Sequence, residues 1–288
     1  MIGVSPAFVF SLYGTGFSVQ DFCAALPRIQ RLGFSAYQPE IYHAAAIPEW
    51  SRGAPQVDAT AADLGLQPSQ FVAHCMLEWF ARPGRLGPDQ GLDDLKRLTE
   101  IVRAFPGCRV LTVPAGPFQV EWTSPAAGSA AAWRDVQFRL TEKIRRYLEV
   151  VTDADLRLAF EIMPFSVIGG IRRFLGICEA LGSPALGLNF DSGHAWACRE
   201  LVPALPFELA ERIFGTHLGD NLSTENVKLP PGKGTIPWAP LLRNLRVAGY
   251  SGSLDIEIGC PAAEVEGQYR AGLEFLQSLP IGSQGDSP

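Results

Sequence analysis

Apolar and polar positions along the chain follow two alternating periods, one typical of β-strands and one typical of α-helices. Short apolar runs recur, and after each run apolar residues return every three or four positions. The clearest helical stripe comprises Trp133, Val136, Leu140, Ile144, Tyr147 and Val151. Eight strand–helix pairs follow one another without a change in composition. This pattern predicts a single (β/α)₈ TIM barrel.

The predicted elements cover most of the chain. Strands are expected at residues 7–13, 35–41, 69–76, 109–113, 156–163, 185–191, 212–218 and 253–258. Helices are expected at 19–32, 92–105, 133–151, 168–181, 201–210, 236–248 and 262–279, with a poorly patterned helical region ending at residue 64. We expect one barrel domain over residues 1–279 and a disordered tail over 280–288.

Loop lengths indicate which rim of the barrel carries the function. Helix-to-strand connections are short and often contain glycine, whereas the strand-to-helix connections at 77–89, 114–129 and 219–235 are long. Long ordered loops are commonly functional, and here all three fall at the carboxyl ends of the strands. That rim is where barrel enzymes place their active sites.

Composition narrows the class of partner. The net charge of −6 argues against a nucleic-acid-binding surface, which normally needs a basic face. No run of 18 uncharged apolar residues and no charged amino-terminal leader region is present, so we expect neither a membrane span nor a signal peptide. Six scattered cysteines without a C-x-x-C pair are typical of reduced thiols in a cytoplasmic protein. The sequence leaves open whether the protein forms a homo-oligomer.

Four polar side chains point inward at the ends of four consecutive predicted strands. They are Glu161, Asp191, His217 and Glu257. Each alone has an ordinary explanation: a surface ion pair, a helix cap or a buried core histidine. Together they are three carboxylates in one barrel mouth, where they repel one another unless a cation joins them. No basic residue lies on the inward parity near these strand ends, so the set predicts a divalent metal ion.

The ligand types favour particular ions and a particular chemistry. Three oxygen donors and one imidazole leave two positions of an octahedron free, which suits Mn²⁺, Co²⁺ or Mg²⁺ and permits Zn²⁺. Two open positions match the chelation of a vicinal hydroxy-carbonyl group. Such a site favours removal of the proton next to the carbonyl by a neighbouring carboxylate.

The motifs that carry these residues resemble a known family. The segments LAFEIMPF, LNFDSGHAW, THLGDN and PPGKGTIPW, followed by LRVAGYSGSLDIEI, are similar to the sugar phosphate isomerase/epimerase family of xylose isomerase-like barrels. The weaker segment GFSAYQPEI extends the likeness to the second strand, so that it covers nearly the whole chain. The resemblance implies the same four metal ligands, a substrate contact at His194, and acid and base roles for Glu161 and Glu257.

Four departures from the family pattern bear on the reaction. Ketose 3-epimerases of the family carry a Glu at the position of Val167 and an Arg at that of Ser223. Inosose dehydratases carry a Lys at the position of Gly219, and the usual Glu ending the second strand is Gln38 here. The chemistry class, a sugar isomerase or epimerase, is therefore better supported than a named reaction. An inosose-type dehydratase is the first alternative.

Two further alternatives stay open, and the first comes from the same superfamily. An endonuclease IV-like hydrolase shares His74 and His194 but needs a histidine on the fourth strand and an Asp-x-His in the loop after the seventh. This chain has RVLTVPAG at that strand, and it has Asn226 and Lys228 in that loop. The other alternative is a non-catalytic sugar-binding barrel, against which the intact ligand set argues.

Several other polar or aromatic residues are expected near the site. His74, Glu40 and Asp220 are expected to line it as substrate contacts or as supports of the ligands. Trp122 lies on a rim loop, where an aromatic ring can cover one face of a sugar. Lys228 and other loop cations are expected to be solvated.

Overall fold

The computed structural model describes residues 1–123, 125, 128–222 and 225–280. In these residues nine parallel strand segments form the barrel wall. They are β1 (Ile2–Val4), β2 (Ala36–Tyr37), β3 (Gln67–Pro68), β4 (Phe71–Val72), β5 (Val110–Ala115), β6 (Arg157–Ile162), β7 (Leu186–Asp191), β8 (Ile213–His217) and β9 (Leu254–Ile256). The segments β3 and β4 occupy the place of one barrel strand, so the wall corresponds to the eight strands of a (β/α)₈ barrel, as predicted.

Ten α-helices surround the wall within the same described residues. They are α1 (Ala7–Tyr13), α2 (Val19–Leu32), α3 (Ile47–Asp63), α4 (Leu92–Val102), α5 (Ala130–Asp153), α6 (Ile171–Leu181), α7 (Ser192–Ala197), α8 (Leu205–Leu209), α9 (Trp238–Val247) and α10 (Val265–Ser278). The apolar stripe of α5 is buried at Val136, Leu140, Ile144, Tyr147 and Val151, as its spacing predicts. None of the described helices is long and apolar enough to cross a membrane.

The first predicted strand is wrong. Residues Ala7–Tyr13 form helix α1, and the first strand is the shorter segment Ile2–Val4. The amide of Ala7 donates to the hydroxyl of Ser5 at 3.2 Å, which turns the chain into the helix directly after β1. A short apolar run such as AFVFSLY has the same composition in a buried helix and in a strand, so its pattern alone does not separate the two.

The third predicted strand is only partly correct. Chain 69–76 contains β4, but His74–Phe80 forms a 3₁₀ helix that carries His74 away from the sheet. The other predicted strands and helices agree with the structure to within a few residues at each end. The predicted tail lies, apart from Pro280, outside the described residues.

The barrel is built from two sheets joined at two seams. One sheet has the strand order β3-β2-β1-β9 and the other has the order β4-β5-β6-β7-β8. At one seam Leu218 donates to the carbonyl of Asp255 at 2.8 Å, and Glu257 donates to the carbonyl of Leu218 at 3.0 Å. At the other seam Val72 donates to Pro39, and Ile41 donates to Val72. These bonds close the wall.

Polar side chains fill the middle of the barrel. The buried carboxylate of Asp255 accepts hydrogen bonds from Gln38, Ser69 and Ser253 at 2.6–2.8 Å. Gly3 makes room for it, because a Cβ atom at that position would lie 2.1 Å from Asp255 Oδ1. This polar layer lies directly beneath the carboxyl ends of the strands and supports the side chains there.

Candidate functional site

The four residues predicted at the strand ends form one buried cluster. Their potential ligand atoms all lie within 4.8 Å of one another. Glu161 lies near the end of β6, Asp191 ends β7, His217 ends β8, and Glu257 directly follows β9. Asp191 and His217 are register partners in neighbouring strands. The four side chains that the sequence places on the inner face of the strands therefore lie next to one another in the structure.

His217 is held in one orientation by two opposed contacts. Its Nδ1 lies 3.0 Å from Glu161 Oε1, and its Nε2 lies 2.7 Å from Gln38 Oε1. Because the Gln38 amide nitrogen donates to Asp255 at 2.8 Å, the Gln38 amide oxygen faces His217 and accepts a hydrogen bond from Nε2–H. Burial alone lowers the pKa of His217, but Glu161 and Glu257 raise it to about 9. Nδ1 is thus the atom offered to the carboxylate cluster.

His194 enters the site from the first turn of α7. The carboxylate of Asp191 caps this helix by accepting from the amide of His194 at 2.7 Å. The His194 ring accepts at Nδ1 from the side-chain amide of Asn226 at 2.7 Å, which leaves Nε2 facing Asp191 and Glu161 at 3.3 and 3.5 Å. Asn221 in turn donates to Asn226. The loop after β8 therefore orients His194.

Lys228 is a site residue that the sequence interpretation missed. Its Nζ lies 2.6 Å from Glu257 Oε2, and the exposed fraction of its side chain is 23%. The expectation that this lysine is a solvated loop cation is therefore wrong. Burial alone lowers the pKa of Lys228, but Glu257 and Asp191 raise it overall, so it carries a charge. Strand parity could not reveal it, because it reaches the site from a loop.

A cavity of about 110 Å³ opens beside the cluster. Its polar wall contains Glu161, His217, Glu257, Lys228, Glu40 and His74, and its apolar wall contains Pro6, Phe10, Tyr42, Val72 and Met163. The rings of Tyr42 and His74 stack with centroids 3.9 Å apart and an angle of 17°. Burial lowers the pKa of His74, which favours the neutral ring. The cavity thus combines charged groups with a flat aromatic surface.

Glu40 contributes an unusual carboxyl group to this cavity. It is 2% exposed, and its Oε2 has no hydrogen-bond partner among the described residues. Burial raises the pKa of Glu40 well above the ordinary value, which favours the neutral acid. A buried carboxyl oxygen without a partner, at a cavity wall, is placed to bind a polar ligand.

Two predicted site residues are used elsewhere. Both oxygens of Asp220 are occupied, since they accept from the amides of Asn221, Gly232 and Ile236 and from the indole of Trp238. Asp220 therefore organises the loop after β8 instead of lining the cavity. Trp122 is 66% exposed and packs on Trp133, outside the cavity wall. Ser223, a position where the ketose 3-epimerases differ, lies outside the described residues.

The cluster fits a divalent cation. Three carboxylates and one imidazole are the donors that such ions take in barrel enzymes, and all four residues are buried. Asp191 Oδ2 and His194 Nε2 are buried without a hydrogen-bond partner among the described residues. Burial raises the pKa of Asp191 to about 7, although the neighbouring His194 acts in the opposite direction. A divalent ion held by Glu161, Asp191, His217 and Glu257 would add positive charge among these buried carboxylates.

The structure is a (β/α)₈ barrel with a buried cluster of three carboxylates and one histidine at the carboxyl ends of its strands. The family model of the xylose isomerase-like TIM barrel matches residues 26–279 of the chain. The protein belongs to this family.

Individual relatives extend the comparison. An L-ribulose-5-phosphate 3-epimerase, UlaE, from Escherichia coli is 26% identical over 126 residues, which is 44% of each protein. The solved structure of a 3-keto-D-glucoside 4-epimerase, YcjR, from E. coli has a TM-score of 0.74 at 16% identity, covering 96% of this chain and 98% of that one. The structure of the IolI protein with a bound zinc atom has a TM-score of 0.71 at 12% identity, covering 96% and 98%. At these identities the solved structures establish the fold, and the chain matches less than half the length of UlaE.

Proposed function

We propose that the protein is a metal-dependent isomerase or epimerase that acts on a sugar, ketose or related polyol. The reaction is a proton transfer at the carbon next to a carbonyl group. The observation that carries this proposal is that two carboxylates, Glu161 and Glu257, face one cavity from strands separated by β7 and β8. Two carboxylates so placed can serve two faces of one substrate. The epimerase names of UlaE and YcjR support the same class of reaction.

The protein's own side chains have distinct roles in this mechanism. Glu161 and Glu257 remove the proton and return it, each held in place by a cationic or imidazole partner. His194 is not among the residues that line the cavity, and we propose that its Nε2 meets a substrate oxygen beside Glu161. The neutral carboxyl group of Glu40 forms a hydrogen bond with a substrate hydroxyl group. The stacked rings of Tyr42 and His74 cover an apolar face of the sugar. Glu161, Asp191, His217 and Glu257 would hold a divalent ion, with Mn²⁺, Co²⁺ or Mg²⁺ favoured over Zn²⁺, and such an ion would supply Lewis-acid polarisation of a carbonyl group.

Solvent exchange tests the reaction. Metal-loaded protein is incubated in D₂O with a panel of ketoses and inososes, and the recovered compounds are analysed by mass spectrometry and NMR. Deuterium is expected at the carbon next to the carbonyl in an isomerised or epimerised product. Glu161→Gln and Glu257→Gln are each expected to lower turnover by about 10²–10⁴-fold. Undiminished turnover in both variants contradicts the proposed mechanism.

The same assay separates the alternatives. Formation of a dehydrated product would identify the protein as an inosose-type dehydratase. Saturable binding of a sugar without exchange or turnover, in protein that holds its metal, assigns a non-catalytic sugar-binding barrel.

Metal content tests the ligand set independently of turnover. Purified wild-type protein is expected to hold about one equivalent of divalent metal, and Asp191→Ala and His217→Ala are expected to lose it. The exposed carboxylate of Asp153, at the end of α5, supplies the matched control Asp153→Ala. Full metal occupancy in both site variants shows that the ion binds elsewhere.

A further inference from the structure

Lys228 brings a permanent positive charge to a cluster of carboxylates. Its Nζ contacts Glu257 Oε2 at 2.6 Å and lines the same cavity as Glu161 and His217. Glu257 is the one ion-pair partner of this ammonium group among the described residues. An ammonium group has three N–H donors, so donors remain for a ligand in the cavity.

The backbone fixes the direction of this side chain. Lys228 has φ +47°, a left-handed conformation that is costly for any residue with a side chain. The conformation is held because its amide donates to Asn221 Oδ1 at 3.1 Å and its carbonyl accepts from Gly259 at 3.1 Å. The next residue, Leu229, exchanges two backbone hydrogen bonds with Asp220. This anchored segment presents the ammonium group at the cavity wall.

The charges of the site show what this ammonium group is suited to bind. In a metal-loaded site the carboxylates of Glu161, Asp191 and Glu257 would be ionised and the His217 ring neutral, because metal ligands bind in their deprotonated forms. A divalent ion would then balance two of the three negative charges, and Lys228 would balance the third. Without the lysine, negative charge developing on a substrate oxygen would face a net-negative centre. With it, the oxygen meets a charge-assisted hydrogen-bond donor in a largely enclosed site.

We propose that Lys228 is a further catalytic residue, which binds the substrate oxygen that becomes negative when the neighbouring proton is removed. This inference rests on the proposed isomerase or epimerase function. It identifies Lys228 as a second positive group, in addition to the metal ion, that contacts the substrate. Lys228 keeps its protons throughout and acts as a hydrogen-bond donor. Glu161 and Glu257 remain the groups that accept and return the proton.

Four variants separate a substrate contact from a structural role. Lys228→Met removes the charge, Lys228→Gln keeps a donor without the charge, and Lys228→Arg keeps the charge. Lys233→Met is the matched control, because Lys233 lies exposed in the same loop, five residues away. Metal content and affinity are measured first, without any substrate. Oxalate is then titrated into metal-loaded protein, since this planar dianion imitates a deprotonated hydroxy-carbonyl group.

We expect Lys228→Met and Lys228→Gln to hold one equivalent of metal but to bind oxalate about 10–100-fold more weakly than the wild type. With the true substrate, kcat should fall by about 10²–10³-fold, and Lys228→Arg should recover part of the loss. Lys233→Met should match the wild type in every measurement.

Wild-type oxalate affinity in Lys228→Met and Lys228→Gln overturns the inference. Loss of metal in both variants also overturns it, because Lys228 then acts by positioning Glu257. If the wild type binds metal and oxalate but exchanges no proton of any sugar tested, the proposed function fails. The oxalate affinities then still decide whether Lys228 is an anion-binding residue.

Discussion

The hydrogen bond between Gln38 and His217 leads to a sharp prediction about metal affinity. Gln38→Met removes the oxygen that accepts from His217 Nε2 at 2.7 Å and the amide that donates to Asp255 at 2.8 Å. The imidazole is then free to take the tautomer that carries its proton on Nδ1, which faces Glu161, and that tautomer cannot bind a metal through Nδ1. The substitution changes no ligand atom and keeps the side-chain volume similar.

The expected magnitude follows from the loss of this support. Removing the partner of a metal-binding histidine typically weakens metal affinity by about 10–100-fold, or about 1.4–2.7 kcal/mol. A buried N–H group without an acceptor also lowers the free energy of unfolding by about 1–3 kcal/mol. Both effects are therefore large enough to measure separately.

The assay titrates apo protein with Mn²⁺, Co²⁺ and Zn²⁺ by calorimetry and follows urea unfolding in parallel. Gln70→Met is the matched control, since Gln70 is another fully buried glutamine of the barrel interior and bonds to Asn189 and Thr112. We expect Gln70→Met to lower stability while leaving metal affinity near the wild-type value. Equal metal affinity in Gln38→Met and the wild type would refute the reasoning, because His217 would then be oriented by its carboxylate contacts alone.

Three other predictions concern separate parts of the molecule. Lys143 is fully buried and donates to the carbonyls of Arg85, Gly87 and Gln90. Lys143→Met should therefore lower the free energy of unfolding by about 3 kcal/mol and speed hydrogen exchange in residues 85–91, while the metal content stays unchanged. Gly3→Ala should cost about 1–3 kcal/mol because its Cβ would overlap Asp255, whereas Gly16→Ala, which meets no atom within 4 Å, should be close to neutral in thermal denaturation. The protein should not incise abasic DNA, because Asn226 is hydrogen-bonded to His194, Lys228 is paired with Glu257, and the net charge is −6. Zinc-dependent incision of an abasic duplex would restore the hydrolase alternative.

The strand ends were predictable from the sequence because side-chain parity in a strand is a local property. Glu161, Asp191, His217 and Glu257 each alternate with large apolar neighbours, and that alternation alone places them on the inner face. Their clustering then follows from the geometry of a parallel barrel.

The loop after β8 was not predictable in the same way. Its course depends on tertiary hydrogen bonds, chiefly those that saturate Asp220, and neither periodicity nor spacing encodes them. Lys228 and Asn226 reach the site only because of this course, while Asp220 is turned away from it. Helix α1 was missed for a different reason, since its apolar run is too short to show a helical period.

The wall of the barrel is divided into two sheets, and the candidate metal centre lies where they meet. Glu161, Asp191 and His217 belong to the sheet that ends with β8, whereas Glu257 follows β9 of the other sheet. An ion held by all four residues would connect the two sheets across the seam at Leu218, where backbone bonding is sparse. Metal binding should then slow hydrogen exchange along this seam more than at β5–β6, and the barrel should gain stability with the logarithm of metal concentration.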